Sequence, residues 1–456
     1  MSEASVITLD PVDVPSAGVG VLADWVSILG TLDRELSDAE RVDRIRVLEE
    51  IKAAACAAQA RVTADLDASQ REHHAALGIR AADQGKGVAA QVGLARRESP
   101  NRGAVHLGLA KVLVTEMPHT MAALESGRLS EWRATLLVRE TACLTLADRQ
   151  TVDRVLVADP AVLDGKGDQA LVAEIKKLAY TLDPHAVVAR ARKAESERRV
   201  TCRPAPDTMA YLSALLPVTA GVACYAALCH AADTARAAGD PRSRGQVMAD
   251  TLVERITGQA TAPAVGVEIG LVMTDTTLLG GDSTPAKVPG YGPVPAALAR
   301  DWISDPAARV WIRRLYTHPD TGNLVAMDSH RRVFEGNLRR FLLTRDQHCR
   351  TPWCDAPIRH LDHIRAHHAG GHTTASNGQG LCEHCNHTKT APGWRARPRP
   401  GPRHTVTITT PTGHSYRSTA PPPPGTPRGT PTRETVPAPA KLNSLEQRFR
   451  DYILGA

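Results

Sequence analysis

CRTPWCDAPIRHLDHIRAHHAGGHTTASNGQGLCEHCNHTK occupies residues 349–389, and its reading decides the fold of the C-terminal part of the chain. Cys349 and Cys354 form a C-x4-C pair, Cys382 and Cys385 a C-x2-C pair, and 27 residues separate the two. Two short-spaced pairs predict one tetrahedral zinc site, each pair on its own knuckle, with four thiolates at about 2.3 Å closing the shell. A closed shell leaves no position for water, so such a zinc is structural. Its work would be to clamp the ends of 355–381, a segment too small and polar to fold alone. Cys56, Cys143, Cys202, Cys224 and Cys229 lie singly in helical or apolar stretches and read as small packed residues of a reducing compartment.

Inside the clamp the order is Asp362-His363, Gly370-Gly371, Asn377, and then C-x-x-C-N-x-x-K from Cys382 to Lys389. This resembles the HNH endonuclease family in its zinc-clamped ββα-metal form, over about residues 345–395. The resemblance implies that His363 is the general base, Asp362 a ligand of a catalytic Mg²⁺ or Mn²⁺, and Asn377 the residue that holds the loop between the two strands. The family's last histidine is replaced by Asn386, with His387 one place later. The motif is therefore H-N-N, with Asn386 as second metal ligand and His387 as the alternate. The residue types suit the chemistry. A neutral imidazole can take a proton from water near pH 7, and carboxylate and amide oxygens are hard ligands. Neighbours on a regular strand point to opposite faces, so Asp362 and His363 share one phosphate only where the strand ends or bends. On a regular strand His360 and Asp362 would share a face instead. His367, His368 and His372 flank the Gly-Gly turn and read as solvated loop residues. Trp353 and Trp394 read as filling for the small core around the zinc.

The charge is uneven. Residues 331–456 hold 19 Lys/Arg and 8 Asp/Glu, a net of +11, against a net of −5 for residues 1–330. A basic C-terminal third implies a polyanionic partner. Arg359, Arg365, Lys389 and Arg395, with Arg397 and Arg399, are the expected phosphate contacts. Nothing in the sequence reads bases.

The first two thirds read as helices packed on Ala, Leu and Val. Ser37-Asp-Ala-Glu40 is a capping box, and Val42, Ile45, Leu48, Ile51, Ala55, Ala58, Val62 and Leu66 follow as one expected apolar stripe. Ser99-Pro100, Pro118, Ser130 and Thr145 mark further helix starts. Ala89 and Gly93 have the spacing of a helix-turn-helix, for which ordinary helix packing is the competing reading. Helix is expected over 168–195 and 219–258, strands at "RRVTCRP" and "GVEIGLVMTD", and a Gly/Pro loop before a helix near 294–304. No phosphate-binding glycine loop, nucleophile elbow or carboxylate pair is present there. "SEWRATLLVRETACL", "ADTLVERITG", "PGYGPVPAALAR" and "GLCEHCNHTKTAPGW" give the whole chain a resemblance to an actinobacterial group that joins an HNH module to an N-terminal domain of unknown function 222. That domain implies no activity.

The expected fold class is a mostly α N-terminal region with a small β-sheet, followed by a small zinc-clamped ββα-metal module. In order these are a loosely ordered terminus (1–30), the helical domain (31–335), the HNH module (336–400) and a β-hairpin (401–419). A Pro-rich disordered linker (420–440) and a C-terminal helix (441–456) complete the chain. The start has no basic region leading into an apolar stretch, and no run of 18 apolar residues occurs. A cytoplasmic protein without a membrane partner is the expectation. The expected function is metal-dependent hydrolysis of phosphodiester bonds in duplex DNA. The alternative is a zinc-knuckle nucleic-acid-binding or scaffold protein with an inactive site. Whether two chains pair as a homodimer stays open.

Overall fold

The computed structural model describes residues 18–258, 270–279, 282–289, 291–304, 334–401 and 403–422. Its helices are α1 (Val19–Gly30), α2 (Asp38–Ala76), α3 (Val88–Ala95), α4 (Pro100–Glu116), α5 (Pro118–Glu125), α6 (Glu131–Glu140), α7 (Leu146–Val157), α8 (Asp168–Leu182), α9 (Pro184–Ser196), α10 (Val218–Ala237), α11 (Arg244–Thr257), α12 (Asp275–Leu279), α13 (Ala296–Ser304), α14 (Gly336–Asp346) and α15 (Glu383–Lys389). Its strands are β1 (Arg199–Pro204), β2 (Ala210–Leu215), β3 (Ala286–Val288), β4 (Gly292–Val294), β5 (His360–His363), β6 (Gly378–Leu381), β7 (Arg395–Arg399), β8 (Thr405–Thr409) and β9 (Ser415–Thr419). No helix among the described residues is long and apolar enough to cross a membrane. The chain divides into two compact units, Met1–Asp65 with Leu109–Val187, and Leu66–Gly108 with Val188–Ala456.

The first unit is all helix. Ser37 begins α2 as a capping box: its hydroxyl accepts from Glu40 N at 3.3 Å, and its N–H donates to Glu40 Oε2 at 2.8 Å. Ser130 and Thr145 cap α6 and α7 through the hydroxyl alone, which accepts from Arg133 N and Asp148 N. The face of α2 is not the expected one. Val42, Ile45, Ile51 and Val62 are exposed, while Ala53, Ala57 and Ala60 enter the core beside Leu113, Leu137 and Val152. The two stripes are two residues out of phase, about 200° apart around the helix. Small side chains let neighbouring helices approach closely, and a periodicity weighted by bulk does not see them. α5 is capped from a distance: buried Asp153 on α7 accepts from His119 N and Thr120 N, each at 2.8 Å. The expectation of a loose terminus through residue 30 is corrected by α1. Pro15 lies before it, Gly18 is its N-cap, Gly30 is its last residue, and the apolar run between is helical. Residues 1–17 lie outside the described residues.

The second unit contains α3 and the start of α4. A Cβ on Gly103 would stand 2.1 Å from the Ala89 carbonyl oxygen and 2.6 Å from Gly93 N. The Ala89–Gly93 spacing therefore serves a tight crossing of α3 and α4. α3 is itself buried along Val88–Leu94, with only Ala89 half-exposed. The expected small sheet is two separate antiparallel hairpins, β1–β2 and β3–β4. The second lies inside the stretch read as a Gly/Pro loop. Of the expected strand over 266–275, residues 266–269 are outside the described residues, and Val272 forms a single bridge to Lys287.

The C-terminal part of this unit is a hairpin, β5–β6, followed by α15 and then the antiparallel sheet β7-β8-β9. The expected hairpin at 401–419 is present, and the basic stretch before it adds β7 as a third strand. α14 packs on the first hairpin through Leu338 and Leu342, joined by Phe334 just before the helix. Gln91 of α3 accepts from Thr412 Oγ1 at 3.0 Å, joining α3 to the β8–β9 turn. The expected linker from 423 onward and the C-terminal helix lie outside the described residues.

Candidate active site

The four cysteines come together. Their sulfurs lie within 4.8 Å of one another, with Cys354 Sγ 3.8 Å from Cys382 Sγ and 3.7 Å from Cys385 Sγ. A tetrahedron of sulfurs at about 2.3 Å from a central ion has edges of about 3.8 Å, so the cluster could hold a metal such as zinc. A disulfide would need about 2.05 Å. Cys382 is the N-cap of α15, and its sulfur accepts from Cys385 N at 3.4 Å. S–H donors from Cys354 and Cys385 hold the Cys349 thiol far below the usual thiol range. The bond to Cys349 pushes Cys354 up, and the bonds to Cys349 and Cys354, with burial, push Cys385 up. A dication would displace the protons that remain. Among the described residues this is the one group of three or more His, Cys, Asp or Glu side chains placed to hold a metal.

Next to the cluster, β5 pairs with β6 in regular register, Asp362 opposite Gln379 and His363 opposite Gly378. The strand does not bend before His363. Leu361 and His363 face α14, where the His363 ring lies 4.5 Å from that of Phe334. His360 and Asp362 face α15: the His360 ring is 6.5 Å from that of His387, and Asp362 is paired with Lys389. The regular-strand arrangement is thus the observed one, and Asp362 and His363 leave β5 on opposite faces. His363 is buried, its Nε2 is 2.9 Å from Thr373 Oγ1, and the His367 ring stands 5.6 Å away.

Asn377 sits between the loop ends. Its Oδ1 accepts from Arg365 N at 2.8 Å, and its Nδ2 donates to Arg365 O at 3.0 Å and His372 O at 2.9 Å. The Gly-Gly turn closes beneath it, where a Cβ on Gly371 would lie 1.9 Å from Arg365 O. Asn386 is half-buried and His387 exposed on α15. Lys389 donates to both Asp362 and the His363 carbonyl oxygen. Arg359, Arg365 and Arg395 are exposed, and Arg365 Nε is engaged with Ala369 O at 2.9 Å. Trp394 joins Ile364, Val406 and Ile408 in a small core, whereas Trp353 is exposed and meets the edge of Tyr416. The expectation that Trp353 fills a core is corrected: the cysteines themselves, with Leu381, fill that space.

Sequence reasoning missed Thr373, Phe334 and a buried ionic hub. Asp346 Oδ1 accepts from Arg345 Nε at 2.7 Å and Arg350 Nη1 at 3.0 Å, and its Oδ2 accepts from Arg345 Nη2 at 3.0 Å and Gly380 N at 2.8 Å. Arg350 continues to Ser418 O at 2.8 Å and His404 O at 3.2 Å. One carboxylate thereby joins α14, β6 and the three-stranded sheet. His404 lies against this hub with Nε2 3.0 Å from Ser376 O. Burial, and then the Arg345 charge, lower its pKa from 6.5 to about 4, while the bond to Ser376 O and then the Asp346 charge act the other way. The unfolded chain therefore takes up this proton below pH 6.5, and the folded chain does so only near pH 4. Stability is lost as pH falls through that window, by up to roughly 3 kcal/mol. In acid unfolding of the zinc-loaded protein, His404→Gln should flatten the slope between those pH values. An unchanged slope would show that His404 does not set the acid limit of stability.

A family model described as "Domain of unknown function (DUF222)" matches residues 45–346. No curated protein and no solved structure matches the chain. The matched residues end three positions before Cys349, so the sulfur cluster and the hairpin lie beyond them.

Proposed function

Because the chain belongs to the family described as a domain of unknown function (DUF222), a description that assigns no reaction, we propose that its chemistry resides in the segment after the match: a metal-dependent HNH-type endonuclease that hydrolyses phosphodiester bonds in duplex DNA. The observation that carries this reading is Asp362, His363, Asn377 and Lys389 on one hairpin–helix unit whose ends are tied by four sulfurs. A knuckle that only holds zinc needs the cysteines and none of these.

In this reading His363 takes the proton of the attacking water, and Thr373 orients its ring. Asn377 fixes the loop backbone that follows His363. The zinc in the cysteine cluster is structural. Asp362 and Asn386, with His387 as alternate, would hold Mg²⁺ or Mn²⁺, and the donor set fits a hard dication in kind. Such an ion, when bound, supplies charge neutralisation at the phosphate and the departing oxygen. Lys389 competes for the Asp362 carboxylate, so an incoming phosphate that drew the ammonium away would favour the ion's entry.

Asp362→Asn should lower divalent-dependent plasmid cleavage by about 10²-fold while leaving zinc content unchanged. Undiminished cleavage by this variant would contradict the assignment. A second reading, a DNA-binding or scaffold module with a silent site, is favoured by one observation: Asp362 and His363 lie on opposite faces of β5.

A further inference from the structure

β7, β8 and β9 carry a face that the cleavage chemistry does not use. The cross-strand rows are Arg395–Thr409–Ser415, Arg397–Thr407–Arg417 and Arg399–Thr405–Thr419. Side chains alternate across a sheet, so these rows share one face. The opposite face is the inner one: Ala396, Val406 and Ile408 pack with Ile364, and Ser418 accepts from Arg350. The outer face thus holds four guanidiniums and five hydroxyls without one carboxylate. All four arginines are exposed, and none is ion-paired among the described residues. Arg399 is aligned by a 2.9 Å bond from Nε to Thr407 Oγ1. Like charges gathered on a sheet face repel, and a face that merely keeps a protein soluble interleaves both signs.

We propose that this face grips the phosphate backbone of duplex DNA without reading its bases. It rests on the nuclease reading for the identity of the polyanion and names where that substrate is held. Guanidinium and hydroxyl groups are the donors that phosphate oxygens take. The outer face has no aromatic side chain, and so lacks the stacking platform on which single strands are bound. Its rows lie about 6.7 Å apart along the strands, so the guanidiniums can meet several phosphates at once. Each phosphate neutralised steepens the fall of affinity with salt by about 0.9 in the logarithmic slope.

The test is fluorescence anisotropy of a short labelled duplex, and of one of its strands alone, with the full-length zinc-loaded protein and no added divalent ion. The wild type should prefer the duplex. The Arg395→Gln, Arg397→Gln, Arg399→Gln, Arg417→Gln combination should flatten the salt slope by about 3.6, a roughly 150-fold difference in the loss of affinity between about 50 and 200 mM KCl. Arg397→Gln alone should flatten it by about 0.9, and this variant decides the matter if the fourfold one loses zinc. Equal slopes in wild type and variants, or tighter binding of the single strand, would overturn the proposal. Equal slopes are also what a face that only guards the sheet edges against pairing would give. Cleavage is not read in this test, so a failed nuclease assay with an intact slope difference removes the catalytic reading and leaves the grip.

Discussion

Cys385→Ser should release the metal and unfold the C-terminal module of the second unit. The reason lies in the size of its cores. Beyond the sulfurs, the hairpin and α15 are held by Phe334, Leu338 and Leu342 on one side and by Ile364, Val406 and Ile408 on the other. Clusters this small supply little, whereas structural zinc contributes on the order of 10–16 kcal/mol in small zinc-dependent folds. Serine leaves three sulfurs and a poor fourth donor. Elemental analysis should fall from one bound zinc per chain to none, and protease should cut freely within 349–420. Cys202→Ser, at an exposed site away from the cluster, should keep both zinc and protection. A zinc-free Cys385→Ser protein still protected over 349–420 would mean that packing alone folds the module.

Asp346→Ala is the second large effect, expected at about 3–5 kcal/mol. The carboxylate is fully buried, and Arg345 and Arg350 are 10% and 3% exposed. Removing it leaves two guanidiniums desolvated side by side and strands the Gly380 N–H. Asp346→Asn keeps an acceptor and should cost less. The readout is thermal unfolding of the module followed by hydrogen exchange at β6 and β9. Equal melting of Asp346→Ala and wild type would show that the hub is relieved by water and joins nothing.

Much of the module was legible because its determinants are local. The C-x4-C and C-x2-C spacings and the Pro-Thr-Gly turn at 411–413 each specify geometry within a few residues. Asn377 bonds Arg365 and His372 across the loop, a tie that depends on a short span of chain. The helix caps at Ser37, Ser130 and Thr145 were legible for the same reason. What failed depends on distant partners. Charged residues are mostly exposed, and nothing in "TRDQHCR" shows that β6 and β9 close over Arg345, Asp346 and Arg350. Thr373 is an unremarkable loop residue until the hairpin brings its hydroxyl to His363. On α2, two stripes of helical period coexist two residues apart. Only the neighbouring helices decide that the alanine stripe goes inward. Arg395, Arg397 and Arg399 were visible as a basic run, but not as one face with Arg417, because the register of three strands was needed to align Arg397 with Arg417.

The nuclease reading is decided by conversion of supercoiled plasmid to the open circle by the full-length zinc-loaded protein, with Mg²⁺ and with Mn²⁺, beside His363→Ala. Divalent-dependent nicking is expected, falling by about 10²–10⁴-fold in His363→Ala at unchanged zinc content. Nicking by His363→Ala at the wild-type rate, or no nicking by the wild type with either ion, would contradict that reading.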